Sequence, residues 1–161
     1  MTLVATMKRM ILIAVATLAI GVMSSVSAHT APSSSVPFET AVKEATWLTS
    51  LYPTWNIYRG EGRSMYPHYG SHSLLIVNEA EISAVKAGMI VLFVDAEGDR
   101  VAHLVERTDA GELRTRGANN KSVDPAPVTA DNFIGVVIGV MHTSRNSSPD
   151  TSIPVAIGKT Y

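Results

Sequence analysis

The chain contains no cysteine, which excludes disulfide staples, a thiolate nucleophile and cysteine-ligated zinc, and leaves the redox compartment open. Charge of one sign is also missing. Thirteen Lys and Arg face 14 Asp and Glu, for a formal net charge of −1, and no clustered basic stripe accompanies them. A general nucleic-acid binder is disfavoured on that ground. No internal repeat organises the sequence.

What is present begins with an apolar run. Lys8 and Arg9 precede the stretch from Met10 to Met23, which is followed by Ser24-Ser25-Val26-Ser27-Ala28. Residues 1–28 read as an export signal with cleavage after Ala28, although Val26 is an untidy occupant of the position two before the cut. The run to Ala28 also approaches the roughly 20 residues that cross a bilayer, so a retained anchor is the competing reading. Either way the basic residues favour a cytoplasmic N-terminus, which places the remaining domain in an extracytoplasmic, membrane-anchored or secreted and periplasmic setting.

The 161 residues suit one domain. Residues 29–36 form a polar, proline-containing linker, 37–143 the folded domain, and 144–161 a tail in which Ile153 to Ile157 supplies a candidate edge strand. Pro37 opens a helix in which Phe38, Ala41, Val42, Ala45, Leu48 and Leu51 recur at helical spacing until Pro53. Trp47, Tyr52, Trp55 and Tyr58 are expected either in ordinary packing or against a membrane or substrate chain. Strands are predicted at Ser73 to Asn78, at Met89 to Val94, across the Gly98 turn at Val101 to Val105, at Glu112 to Arg116 as an exposed strand, and at Phe133 to Met141. Gly117 to Pro125 has the composition of a loop. The fold class is mainly β: a coiled antiparallel sheet or partly open barrel, with the N-terminal helix outside it.

Gly62-Arg63-Ser64-Met65-Tyr66-Pro67 is the stretch where a hydroxyl is posed for chemistry. Ser64 is a candidate nucleophile held between a glycine bend and a proline; the alternative is a surface turn in which Ser64 caps backbone groups and Met65 fills the core. A serine hydroxyl at neutral pH needs a base. His103, on a predicted strand, is the candidate, and Asp124 could fix its tautomer; the alternatives are a strand-edge histidine bonded to backbone and an aspartate capping the turn before Pro125. His68 and His72 are four apart, yet Tyr69-Gly70-Ser71 does not resemble the middle of a helix, so no metal site and no cofactor are expected. Lys86 and Lys121 lie in polar connections and do not displace His103 as base. His29 and His142 are read as tail or surface residues.

Ser64-Met65-Tyr66-Pro67, the Gly88 to Phe93 strand, Val101-Ala102-His103, and Thr115-Arg116-Gly117-Ala118-Asn119-Asn120 through Asp124 resemble, in this order, the blocks of type I signal peptidases. The likeness is to the archaeal and endoplasmic-reticulum branch, which uses histidine where the usual bacterial branch uses lysine. It covers most of the chain from Gly62 to Met141, with Phe133 to Gly139 resembling the closing strand. The resemblance implies a membrane-associated serine endopeptidase of exported precursors, with Ser64 as nucleophile, His103 as base, Asp124 as orienting acid, and Met65 shaping the cleft. It also implies an extended peptide bound beside the sheet as partner, with small residues near the cut. Two positions depart from the pattern: Ala118 replaces the first acid of the Gly-Asp-Asn-Asn stretch, and Met89 replaces an acidic residue. A specialised processing protease for pilin or conjugation proteins and a non-catalytic extracytoplasmic binding or assembly module are the alternative expectations.

Overall fold

The computed structural model describes residues 30–146 and the backbone of residues 156–158. The leader expected over 1–28 lies outside the described residues, among which no helix is long and apolar enough to cross a membrane.

The run Leu74-Leu75-Ile76-Val77 explains the layering. A strand with one solvated face alternates apolar and polar side chains, whereas one buried on both faces reads as continuously apolar. These four belong to strand β2 (Ser73–Asn78). Leu75 and Val77 point into one core with Tyr58, Met65, Tyr69, Leu92 and Ala102, while Leu74 and Ile76 meet Phe38, Ala41, Val42 and Ala45 on the other face. Those last four are the buried stripe of helix α1 (Phe38–Ser50), whose N-terminus is set by the extended backbone of Pro37. The predicted helix is therefore present and lies outside the sheet.

The remaining strands are β1 (Trp55–Gly60), β3 (Ile90–Val94), β4 (Arg100–Asp109), β5 (Glu112–Arg116), β6 (Phe133–His142) and β7 (Ala156–Gly158). Their order is β5-β4-β3-β6-β2-β1-β7. The six from β5 to β1 pair antiparallel, and the short β7 adds parallel to β1 at the edge. The sheet is not closed into a barrel, but it coils enough that β7 lies against both β1 and β4. Register shifts at Ile76/Val77, Leu92/Phe93 and Val105/Arg107 mark where the ladder bends; an irregularity of this kind increases local twist and lets a sheet curl on itself. A third cluster, of Val85, Val91, Phe93, Val101, Val105, Leu113 and Val128, fills the other face of β3 and β4.

Two sequence expectations are corrected, and a third is met in part. Trp55–Gly60, read only as part of an aromatic cluster, is a strand: Tyr58 is core, and Trp55 stacks on Tyr52 with ring centroids 4.0 Å apart. Glu112–Arg116 is half-buried rather than exposed, because Leu113 and Thr115 turn inward. In the tail, 156–158 do form an edge strand, while 153–155 lie outside the described residues.

Leu75→Ala removes a fully buried side chain from between two layers and is expected to cost about 2–5 kcal/mol. Trp47→Ala, on the exposed face of α1, is expected to stay within about 0.5 kcal/mol. Urea denaturation of both variants measures the difference.

Candidate active site

Ser64 follows β1 by way of Glu61, Gly62 and Arg63, with Gly62 at φ 80° turning the chain. His103 lies on β4 and pairs with Val91 of β3. Asp124 lies in the loop after β5. Coiling of the sheet brings these three together: Ser64 Oγ is 2.9 Å from His103 Nε2, and His103 Nδ1 is 2.7 Å from Asp124 Oδ2. An ionised carboxylate only accepts hydrogen bonds, so Nδ1 carries the ring proton and the Nε2 lone pair faces the serine hydroxyl. That is the tautomer a general base needs.

Each member is fixed from behind. Asp124 Oδ2 accepts a second hydrogen bond, from Thr115 Oγ1 at 2.7 Å, and the Asp124 amide donates to the Thr115 carbonyl at 2.8 Å. The acid is therefore clamped to β5 through backbone and side chain together. His103 is 4% exposed, and its ring meets that of Phe93 in a T-shaped arrangement at a centroid distance of 6.3 Å. One residue earlier on β4, the Ala102 carbonyl accepts a 2.5 Å hydrogen bond from the Tyr69 hydroxyl. Burial raises the pKa of that phenol far above its ordinary value, so it stays a donor.

Ser64, 2% exposed, is held by the loop that follows β5. The Asn119 amide donates to the Ser64 carbonyl at 2.6 Å, Asn119 Nδ2 donates to the Arg63 carbonyl at 3.2 Å, and the Ala118 amide lies 3.4 Å from Met65 Sδ. Gly117 makes this approach possible. A Cβ there would stand 2.8 Å from both the Cβ and the carbonyl oxygen of Ser64, closer than packed atoms come. The loop is braced in turn by Arg116, which donates to the Asn120 carbonyl at 2.9 Å and pairs with Glu106 at 2.5 Å. The amides of Ser64 and Met65 bond to no backbone carbonyl among the described residues.

All three sequence-predicted residues thus converge. Thr115 and Asn119 were not singled out as site residues. The signal for Thr115 was a threonine two positions from Leu113 on a strand, which turns its hydroxyl to the buried face; Asn119 carried no comparable signal. Of the other candidates, His68 is exposed in the turn after Ser64, and the His72 carbonyl accepts from the Thr143 amide. His142 is not a tail residue: it ends β6, with Nδ1 3.1 Å from Ser73 Oγ and a pKa lowered by burial. A pocket of about 120 Å³ opens beside His103 and Asp124 between Phe93, Val101 and Pro125. Ser64 does not line it, so it is not where a reacting carbonyl would sit.

The arrangement is that of a serine-hydrolase triad. No family model, curated protein or solved structure matches the chain, so this assignment rests on geometry.

Gly117→Ala forces the loop off Ser64 and is expected to destabilise the fold by about 1–3 kcal/mol, with loss of Ser64 labelling by a fluorophosphonate probe. Thr115→Val keeps the shape but removes one partner of Asp124; labelling is expected to slow by about 3- to 10-fold, the equivalent of one net hydrogen bond of about 1 kcal/mol. Labelling time courses at matched folded fraction separate the two effects.

Proposed function

We propose that the protein is a signal-peptidase-like serine endopeptidase. The observation that carries this reading is the continuous chain from Ser64 Oγ through the His103 ring to Asp124, at 2.9 and 2.7 Å. The resemblance of the ordered sequence blocks to type I signal peptidases narrows hydrolase to endopeptidase and adds an exported precursor as substrate. The reading of residues 1–28 as an export signal or anchor is in keeping with an extracytoplasmic, membrane-associated domain, the setting in which such precursors emerge.

In the reaction, Ser64 Oγ attacks a peptide carbonyl carbon and its proton passes to His103 Nε2. The carbon–nitrogen bond then breaks, and the leaving amine takes that proton. Water attacks the resulting ester, giving its proton to Nε2; the carbon–Oγ bond breaks, the acid product departs and Ser64 recovers its proton. Asp124 stabilises the imidazolium that exists between these transfers. Gly62 has no hydroxyl to offer a developing oxyanion, so the amides of Ser64 and Met65, which bond to no backbone carbonyl among the described residues, are the donors nearest to hand. Ala118 removes the alternative acid of the family pattern, leaving the orienting role to Asp124.

Ser64→Ala and His103→Ala are each expected to lower kcat on an exported-precursor peptide by at least about 1000-fold, and Asp124→Asn by about 100- to 10,000-fold, with KM little changed. Cleavage by Ser64→Ala or His103→Ala at the wild-type rate would reject the mechanism. Profiling against precursor peptides separates a general signal peptidase from a protease dedicated to pilin or conjugation substrates.

A further inference from the structure

The β1 edge of the sheet carries its own occupant. Tyr58, Arg59 and Gly60 of β1 pair with Ala156, Ile157 and Gly158 of β7, and this is the one parallel pairing among the named strands. Direction matters here. Beyond Gly60 the chain of β1 reaches Ser64 in four residues, so a strand lying parallel to it carries its own successive peptide bonds in the same sense, toward the nucleophile. β7 also lies against β4, the strand that holds His103. It therefore sits in the gap between the two strands that deliver hydroxyl and base.

An extended polypeptide recruited to this site has one ladder to join. The opposite edge of β1 is taken by β2 over five consecutive registers from Trp55 to Arg59, and the far edge of the sheet, at β5, is remote in strand order and bridged to Val128. Main-chain pairing to β1 is thus the available means of aligning a peptide with Ser64, and residues 156–158 already use it. We propose that this segment is a tethered competitor: it occupies the peptide-binding edge in cis, and a substrate must be an extended polypeptide able to displace it. This rests on the endopeptidase reading for what the edge is used for, but the occlusion itself is a separate claim.

The energetics allow a weak strand to be effective. Three paired residues form a short ladder, yet their attachment to the same chain presents them at an effective concentration on the order of 1 mM. A segment whose free affinity is about 0.1 mM would then cover the edge about ten to one, slowing entry of a competing peptide by about tenfold. Occupation of that order holds the site shut to dilute or folded polypeptide and yields to a substrate concentrated nearby.

The test uses a fluorescein-labelled peptide with the sequence of residues 151–161, titrated by anisotropy into three proteins: the full chain, the full chain carrying Ala156→Pro with Ile157→Pro, and a chain ending at Asn146. Alternate residues of a parallel strand turn their N–H to the neighbour, so two consecutive prolines remove at least one pairing donor. The altered chains are expected to bind the peptide about tenfold more tightly than the full chain does, and to react faster with a fluorophosphonate. Equal affinity in all three, or no binding to any, overturns the proposal. Fluorophosphonate labelling of Ser64 in the full chain reports on the hydrolase reading by itself: labelling without an affinity gain sinks the occlusion and spares the hydrolase, and the converse result does the reverse.

Discussion

The structure depends on how far a single sheet curls. Ser64 lies four residues beyond the end of β1, and His103 stands on β4, with β2, β6 and β3 in between. In a flat sheet, neighbouring strands are about 4.8 Å apart, so such a separation would leave the two side chains far out of reach. Only coiling, assisted by the extra residues that interrupt the ladders in β6 and β4, closes the gap to 2.9 Å. The hydrogen bond at the centre of the site is thus a readout of sheet curvature, and the apolar core of Tyr58, Met65, Leu75, Leu92 and Ala102 maintains that curvature.

A second constraint acts on position rather than reach. The loop after β5 performs two tasks within a few residues: Gly117 and Asn119 hold the backbone of Ser64, and Asp124 holds the ring of His103. Both contacts originate from β5, because Arg116 braces one end of the loop and Thr115 receives the other. Nucleophile and base are therefore registered against a common strand. The charged groups in this brace, Arg116 and Glu106, are each about a third exposed, so solvent screens the pair and its contribution is to geometry more than to stability.

Much of this was legible in the sequence, and the reasons are physical. Runs such as Leu74 to Val77 and Met89 to Val94 announce strands buried on both faces, and the stripe from Phe38 to Ala45 announces a helix with one buried side. The triad residues were legible as types, since few side chains can serve as neutral-pH base or as its orienting acid. β1 was not legible as a strand because Trp55, Tyr58 and Arg59 mix aromatic, polar and charged character; its pairing with β2 decides it, and tertiary pairing outweighs local preference in sheets. The grip of Asn119 on Ser64 has no sequence signature for a related reason: it is a backbone donor, and any residue but proline supplies one. The pairing of 156–158 with β1 was foreshadowed only as an edge strand, because the sequence does not say which edge or in which direction.

Tyr69 gives the site an unusual footing. Its hydroxyl, wholly enclosed, steadies the carbonyl next to His103 by donating a proton that an ionised phenol could not supply. An exposed tyrosine begins to ionise near 10, whereas enclosure keeps this one neutral. The unfolded chain, free to release that proton, gains on the folded one as alkalinity rises past that point. What steadies the strand beneath the imidazole at ordinary acidity thus becomes, in strong alkali, a reason for the domain to come apart.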